Sequence, residues 1–479
     1  MGRPRIMPLG VTVYQPEKCY NGYTLFPASE LGAMLIDMNG KVVRLWKDLQ
    51  GFPNKLLPGG QVLGHRGERD DSVSYQDKID LVQVDWDGNI VWQFNQYEFI
   101  KGDPDVEDQW MLRQHHDYQR EGNPVGYYVP QMECKVNSGN TLILVHKNCY
   151  NTRITDKMLI DDAIIEVNQQ GHIIWEWELN KHFSEMGYDN ISKLVQYKNP
   201  NLKYTNPVNM ADWAHINSMS VLGPNRWYEQ GDERFHPDNL IIDSRTSNIL
   251  MIISKQTGKI VWRVGPDFEA TNSLKKLGVI IGPHHAHMIP QGLPGAGNIL
   301  VFDNGGWAGF GAPNQTCADG TKFYKRDYSR VLEFNPVTLE IVWQFTPSEM
   351  GYKGPARAHY FYSPLVSSAQ RLPNGNTFIT EGVGGHMLEV TEEHEIVWEY
   401  VSPYFGGPLG NMVYRAYRYP YEYVPQLEKP EEKPVMLVDN YTFRIPGAAG
   451  PEYDNVAVTV EGTWGYGHGG AACVQEDVK

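Results

Sequence analysis

Hydrophobic and polar positions alternate along this chain in short bursts that end on tryptophan. Six segments run from a turn residue through β-formers to Trp: Gly40–Trp46, Gly88–Trp92, Gly171–Trp175, Gly258–Trp262, Leu339–Trp343 and His394–Trp398. The stretch before several of them alternates too, as in Ile164-Ile-Glu-Val167, Val331-Leu-Glu-Phe334 and Met387-Leu-Glu-Val390. Alternation puts every second side chain on one face of a strand, and strand, turn, strand is hairpin grammar. A second signature, a turn followed by an apolar strand, precedes each ending: Asn21–Phe26, Gly59–Leu63, Gly139–Ile143, Asp238–Ile242, Gly297–Val301 and Gly375–Ile379. The tryptophans are spaced by 46, 83, 87, 81 and 55 residues.

A unit of about 45 residues with several short strands has the size of a propeller blade. A solenoid repeats every ~20–30 residues, and a pair of sandwiches gives no reason for one motif to recur six times. The pattern therefore predicts an all-β chain: a six-bladed β-propeller over residues 1–426, with inserted loops in blades two to five, and a C-terminal extension, 427–479, packed on it. Lys181–Gln196 reads as a short helix in an insertion, Val413–Tyr421 as a closing segment, and Val435 as the start of a strand-like tail. The six tryptophans are assigned to packing between blades, and the Gly-Asn pairs to turns.

With 41% hydrophobic and 21% charged residues among 479, the chain is too apolar to be disordered. Forty-two basic against 57 acidic residues give a net charge of −15, which argues against a nucleic-acid binder. An anionic substrate then needs a locally positive pocket. No apolar run approaches the ~18 residues of a membrane span, so no membrane partner is expected. The opening Met1–Gly10 has no apolar core of a signal peptide, so the expected compartment is cytoplasmic, or periplasmic if a leader has been removed. Five scattered cysteines suggest neither a zinc cage nor a disulfide framework.

Histidines carry the chemical signal. His115-His116-Asp117, His215-Ile-Asn217, His284-His285-Ala-His287 and His359 each precede a turn-strand unit. A strand in that place is the innermost of its blade, so imidazoles distant in sequence converge on the central channel. There they can serve as nucleophile, general base, anion donor or metal ligand, or simply bond to one another and to channel waters. His146, His172 and His394 sit in or beside hairpins and are expected to face solvent or the next blade. Asn217 is expected on the His215 face of its strand. Asp303-Asn304-Gly-Gly306 reads equally as a tight turn or a rim loop. Tyr362, with Trp213, Trp307, Tyr328 and Tyr360, is a candidate aromatic wall, and Arg330, Arg371 and Arg415 are candidate anion partners.

In their order, Asn21–Phe26, Leu35-Ile-Asp-Met-Asn-Gly40, His215-Ile-Asn217, His284-His285, Asp303–Gly306 and Gln370–Thr377 resemble the bacterial arylsulfotransferases that work without 3′-phosphoadenylylsulfate. The resemblance runs from about Gly10 to about Gln426. It implies a six-bladed propeller that moves a sulfuryl group from a phenyl sulfate to a phenol through a sulfohistidine. It implies no required cofactor, a small aromatic substrate and a possible homodimer. It gives supporting roles to His215, His285 and His287. It places the nucleophile on the strand Ser367–Arg371, which holds no His, so the candidates are His359 or His386 from neighbouring positions, or one of the His284–His287 group. The Arg expected soon after Gly306 is also replaced by Trp307-Ala-Gly.

The resulting expectation names His359, His285, His215 and His287 as catalytic. His115, His116, Asn217, His284, Asn304, Tyr362 and Arg330 are expected to bind substrate. Two alternatives stay open. One is a copper or iron enzyme with His116, His215, His285 and His287 as ligands; the other is a non-catalytic binding or assembly propeller.

Overall fold

The computed structural model describes residues 8–67, 76–101, 107–204, 209–352, 355–407, 409–436, 442, 444–450 and 455–458. Its strands form a six-bladed β-propeller. From the axis outward, blade 1 is Tyr417–Tyr419, Tyr23–Ala28, Gly32–Ile36 and Val42–Lys47. Blade 2 is Gln50–Leu57, Gln61–His65, Leu81–Val84 and Ile90–Phe94. Blade 3 is Gln114–Arg120, Thr141–Cys149, Met158–Val167 and Ile173–Glu178. Blade 4 is Ile216–Val221, Leu240–Ser244, Ile249–Ile253 and Ile260–Val264. Blade 5 is His284–Met288, Ile299–Asp303, Arg330–Phe334 and Ile341–Phe345, and blade 6 is Ser368–Arg371, Thr377–Glu381, His386–Val390 and Ile396–Val401.

Both ends of the chain close the ring. The closing segment supplies the inner strand of blade 1, Tyr417–Tyr419, and Gly10–Tyr14 adds a fifth, outermost strand to blade 6. Beyond that, Val435 exchanges two backbone hydrogen bonds with Tyr14, at 2.7 and 2.9 Å. The rest of the expected extension lies largely outside the described residues.

The tryptophans do pack between blades, and they do so by one repeated contact. Each outer-strand indole N–H donates to a carbonyl in the outer hairpin of the following blade. The pairs are Trp46 to Asp85 (3.1 Å), Trp92 to Gln169 (3.2 Å), Trp177 to Gly258 (2.7 Å), Trp262 to Pro336 (2.8 Å), Trp343 to Glu392 (3.0 Å) and Trp398 to Met38 (2.8 Å). The last bond returns to blade 1, so the relay is circular. In blade 3 the relay residue is Trp177, not the Trp175 of the sequence motif. Blade 1 shows the same offset, its Trp46 standing two positions further from its turn glycine than in blades 2 and 4; both residues lie on the same strand face.

The expected helix over Lys181–Gln196 is instead two pieces, a 3₁₀ segment Leu179–Glu185 and an α-helix Asn190–Lys198. Gly187, at φ 78°, turns the chain between them, and Asp189 caps the second by accepting the Ser192 amide at 2.6 Å. Among the described residues no helix is long and apolar enough to cross a membrane.

Candidate active site

Three consecutive inner strands begin with the same backbone device. His116, His215 and His285 adopt φ of 50°, 53° and 55°, the left-handed region that few non-glycine residues occupy. The ladder to the neighbouring strand slips at each place, between Gln114 and Tyr118, Ile216 and Ser218, and His284 and His287. A bulge of this kind costs about 1–3 kcal/mol per strained residue and re-aims the side chains around it. It also breaks the alternation on which the Asn217 expectation rested. Asn217 is buried, and its amide donates to the Pro283 carbonyl at 3.1 Å rather than sharing a face with His215.

Around the axis the imidazoles divide into two groups. In the first, His116 meets His215 edge-on, with ring centroids 4.6 Å apart, and its Nδ1 lies 2.9 Å from Nδ1 of His115. His115 in turn stacks flat on His146 at 3.7 Å. His215 donates Nδ1–H to Asp212 Oδ2 at 2.6 Å, which selects the tautomer with its lone pair on Nε2. In this group His115, His116 and His146 are buried, whereas the His215 side chain keeps 12% exposure.

His284 adjoins this group electrostatically but is fully engaged. Its Nδ1–H is shared by Asn304 Oδ1 at 2.7 Å and the Gly282 carbonyl at 3.0 Å, and its Nε2 accepts the Val366 amide at 3.1 Å. Asn304 is thereby a positioning residue, anchored by its own amide on the Ser363 and Val366 carbonyls. Gly306 belongs to the same arrangement, because a Cβ there would collide with the Pro364 carbonyl.

The second group does not join the first. His285 donates to the Ala369 carbonyl at 2.8 Å and accepts from the Tyr417 hydroxyl at 3.1 Å. His287 bonds to the His285 carbonyl and to the Tyr127 hydroxyl, both at 2.9 Å. All four nitrogens are engaged and both rings are buried, so the expected catalytic role of this pair has no reactive lone pair behind it. The expected ligand set His116, His215, His285 and His287 is likewise not brought together. Beside the pair, Asp117 accepts from Lys55 at 2.7 Å and Arg415 at 2.8 Å, both ion pairs buried.

Burial pushes His115, His116, His284 and His285 well below the ordinary imidazole range and His287 down to about 4, so these rings are neutral. Positive charge comes from elsewhere. Arg245, largely buried, has Asp212 and His284 as electrostatic neighbours. Next to His116 a cavity of about 200 Å³ opens, lined by Phe52, Tyr414, His65, Lys78 and Met412 among others. Phe52 and Tyr414 stack at 3.9 Å, Phe52 contacts the His116 ring at 4.8 Å, and the Lys78 ammonium sits 5.3 Å over Phe52. Two larger clefts, of about 640 and 660 Å³, are lined by no histidine and lie away from this chemistry.

Other expectations are corrected. His359 is exposed in the 3₁₀ segment Pro355–Tyr360 and stacks on Tyr360 at 4.7 Å, away from the imidazole groups. Arg330 clamps Asp303 at 2.6 Å and two carbonyls, a structural tie. Tyr362 is half-buried, its backbone N–H donating to Glu381 at 2.8 Å, and among the described residues no ring contact joins it to a histidine. His386 is held between Glu381 (2.7 Å) and Glu399 (2.9 Å). His146 faces neither solvent nor the following blade; it is buried, stacked on His115 and bonded to Asp77 of the preceding blade at 2.6 Å. Asp212, Arg245, Phe52 and Tyr414 were not singled out as site residues by the sequence. Asp212, three residues before His215, was the one with a readable signal.

The family model described as Arylsulfotransferase (ASST) matches residues 72–403. The chain belongs to the arylsulfotransferase family. It is accordingly an arylsulfotransferase-like enzyme on a six-bladed propeller. No curated protein sequence matches the chain significantly. Among solved structures, a protein of unknown function from Bacteroides caccae is 12% identical, with 83% of this chain and 98% of that chain covered and a TM-score of 0.42. Virginiamycin B lyase from Staphylococcus aureus is 11% identical, with 75% and 71% covered and a TM-score of 0.30.

Proposed function

We propose that this arylsulfotransferase moves a sulfuryl group between small phenolic compounds with His215 as the nucleophile. Nε2 of His215 attacks the sulfur of an aryl sulfate; the N–S bond forms as the aryl O–S bond breaks, and phenolate leaves. The oxygen of a second phenol then forms a new O–S bond as the N–S bond breaks. Its proton passes to solvent in place of the one taken up by the departed phenolate, and the neutral imidazole is restored. The donor ester brings the group to be moved, so this cycle needs no cofactor. Asp212 accepts Nδ1–H throughout and offsets the positive charge that the ring gains while sulfated. Phe52 and Tyr414 offer the aryl ring an aromatic wall, and Lys78 and Arg245 offer cations to the sulfate oxygens.

The observation that supports this reading is the Asp212–His215 pair: a carboxylate-oriented imidazole, partly exposed, packed edge-on against His116, whose ring in turn meets Phe52 of the aromatic cavity. The test is rapid quenching of pure protein with an aryl sulfate donor, followed by intact-mass and peptide mapping. The expected result is one sulfuryl group per chain, on His215, discharged by added phenol. Transfer through sulfation of another residue overturns the assignment to His215; no transfer across a donor and acceptor panel overturns the reading itself.

A further inference from the structure

Behind the first imidazole group, three neighbouring strands of blade 3 bring His115, His146 and Asp162 together. All three are buried, and their potential ligand atoms lie within 4.8 Å of one another. His146 and Asp162 face each other as direct partners across the second and third strands, and His115 comes from the bulged entry of the first. The scaffold is therefore a sheet rather than a loop, which suits a site of fixed geometry.

The polar atoms at this place are incompletely satisfied. Nε2 of His115 and Oδ2 of Asp162 are buried with no hydrogen-bond partner among the described residues. Nε2 of His115 is 3.4 Å from Asp162 Oδ1, close but without the alignment of a hydrogen bond. Asp162 Oδ1 already accepts the Ile216 amide at 3.2 Å. Buried donors and acceptors are nearly always paired, and two orphans converging on one point need an explanation.

The surroundings already have the form of an outer ligand shell. His146 Nδ1 bonds to Asp77 Oδ1 at 2.6 Å, and Asp77 is fixed by Arg113 at 2.9 Å. A carboxylate on one nitrogen of an imidazole orients the other nitrogen and makes it more basic toward a metal. His115 has its Nδ1 turned to His116, which leaves its Nε2 toward Asp162.

We propose that His115, His146 and Asp162 form a binding site for one divalent first-row transition ion, of the zinc class. Two imidazoles and one carboxylate suit such ions and are a poor set for Ca²⁺ or Mg²⁺, which take oxygen ligands. Its role is to position rather than to react. With Nε2 of His115 on the ion, the ring's proton stays on Nδ1 and is donated to His116, which fixes the tautomer of the imidazole that packs against His215. The site stands independently of the sulfuryl-transfer reading, because its primary readout is bound metal.

The test uses full-length protein carrying no His tag, stripped with chelator, reloaded separately with Zn²⁺ and Co²⁺, desalted and measured by elemental analysis. Wild type should retain one ion per chain. His146→Gln and Asp162→Asn should each lose it, whereas His172→Gln, altering an exposed histidine, should not. Bound Co²⁺ should give the visible absorption of a nitrogen- and oxygen-ligated ion. Circular dichroism shows whether each variant folds; if one does not, the wild-type Co²⁺ spectrum and the remaining variant decide. Folded wild-type protein that retains no stoichiometric ion, or retention unchanged in both variants, overturns the proposal.

Discussion

Replacing Asp212 by Asn removes one charge while keeping the shape of the side chain. The carboxylate lies 2.6 Å from His215 Nδ1, and the two side chains are only 5% and 12% exposed, so solvent screens the pair weakly. When His215 takes a sulfuryl group, its ring becomes cationic about 4 Å from the Asp212 charge. At an effective dielectric constant near 20, that attraction is about 4 kcal/mol. At ~1.36 kcal/mol per decade the loss corresponds to about a thousandfold in turnover. The neutral Asn also permits the wrong tautomer, with the proton on Nε2, which lowers the rate further. The assay is steady-state transfer from an aryl sulfate to a phenol, with thermal denaturation confirming that the variant folds. The expected pattern is a fall in kcat of about a thousandfold with little change in KM, a greater fall for His215→Ala, and no additional loss in the double variant, because the two residues act as a unit. An Asp212→Asn enzyme within about threefold of wild type, or losses that simply add in the double variant, would refute the reasoning.

Two further outcomes follow from the fold. Trp398→Phe orphans the buried Met38 carbonyl and should cost about 2–4 kcal/mol, whereas Trp343→Phe, whose bond to Glu392 is exposed, should cost about 1 kcal/mol; equal losses in urea denaturation would count against the relay as a ring-closing contact. For His386, burial alone lowers the pKa, but the Glu381 and Glu399 carboxylates overcome it and push it up to about 9. Its folded-state pKa is thus raised, so its contribution of about 3 kcal/mol is complete below the unfolded value of ~6.5 and disappears as pH climbs through 9. The stability difference between wild type and His386→Gln should shrink over that window; a constant difference would show that the imidazolium is not the stabilising form.

The blades were legible because a propeller repeats its chemistry: each outer strand needs an indole that reaches the next hairpin, and six tryptophans declare six blades. Trp175 was mistaken for Trp177 because both lie on one strand face, and only the neighbouring blade decides which meets its carbonyl. The inner-strand histidines were legible for the same positional reason. Their grouping was not, since a left-handed residue at His116, His215 and His285 cancels the period-two rule at the point where it would be applied. Blade 6 shows the device without the imidazole: Val366 and Ser367 have φ of 56° and 90° at the same strand entry, with no histidine there. His359 stands near that gap in the sequence, but its 3₁₀ segment, Pro355–Tyr360, ends before the strand entry begins. Asp212 and Arg245 carry no repeat signal because a strand entry and the loop between the second and third strands of blade 4 hold them, and His146 reads as a hairpin residue although the long second strand of blade 3, Thr141–Cys149, carries it inward against His115.

The net charge of −15 and the neutral histidines bear on one another. A cluster of imidazoles suggests at first a cationic cradle for sulfate, with each ring protonated by the anion it holds. Burial opposes that arrangement: His115, His116, His284 and His285 sit well below the usual imidazole range, and placing charge on any one raises the cost for the rest. Neutral rings have lone pairs, which is what a nucleophile and its neighbours need, but they attract an anionic donor poorly. Attraction must then come from cationic side chains of other types, and Lys78 lining the aromatic cavity and Arg245 near Asp212 and His284 are so placed. Under the proposed sulfuryl transfer, the division of labour is between cations that draw the ester in and uncharged imidazoles that react with it. It explains how so acidic a chain can serve an anionic substrate, since the repulsion of the whole surface falls off over about 8–10 Å at moderate salt while a buried guanidinium acts at contact distance.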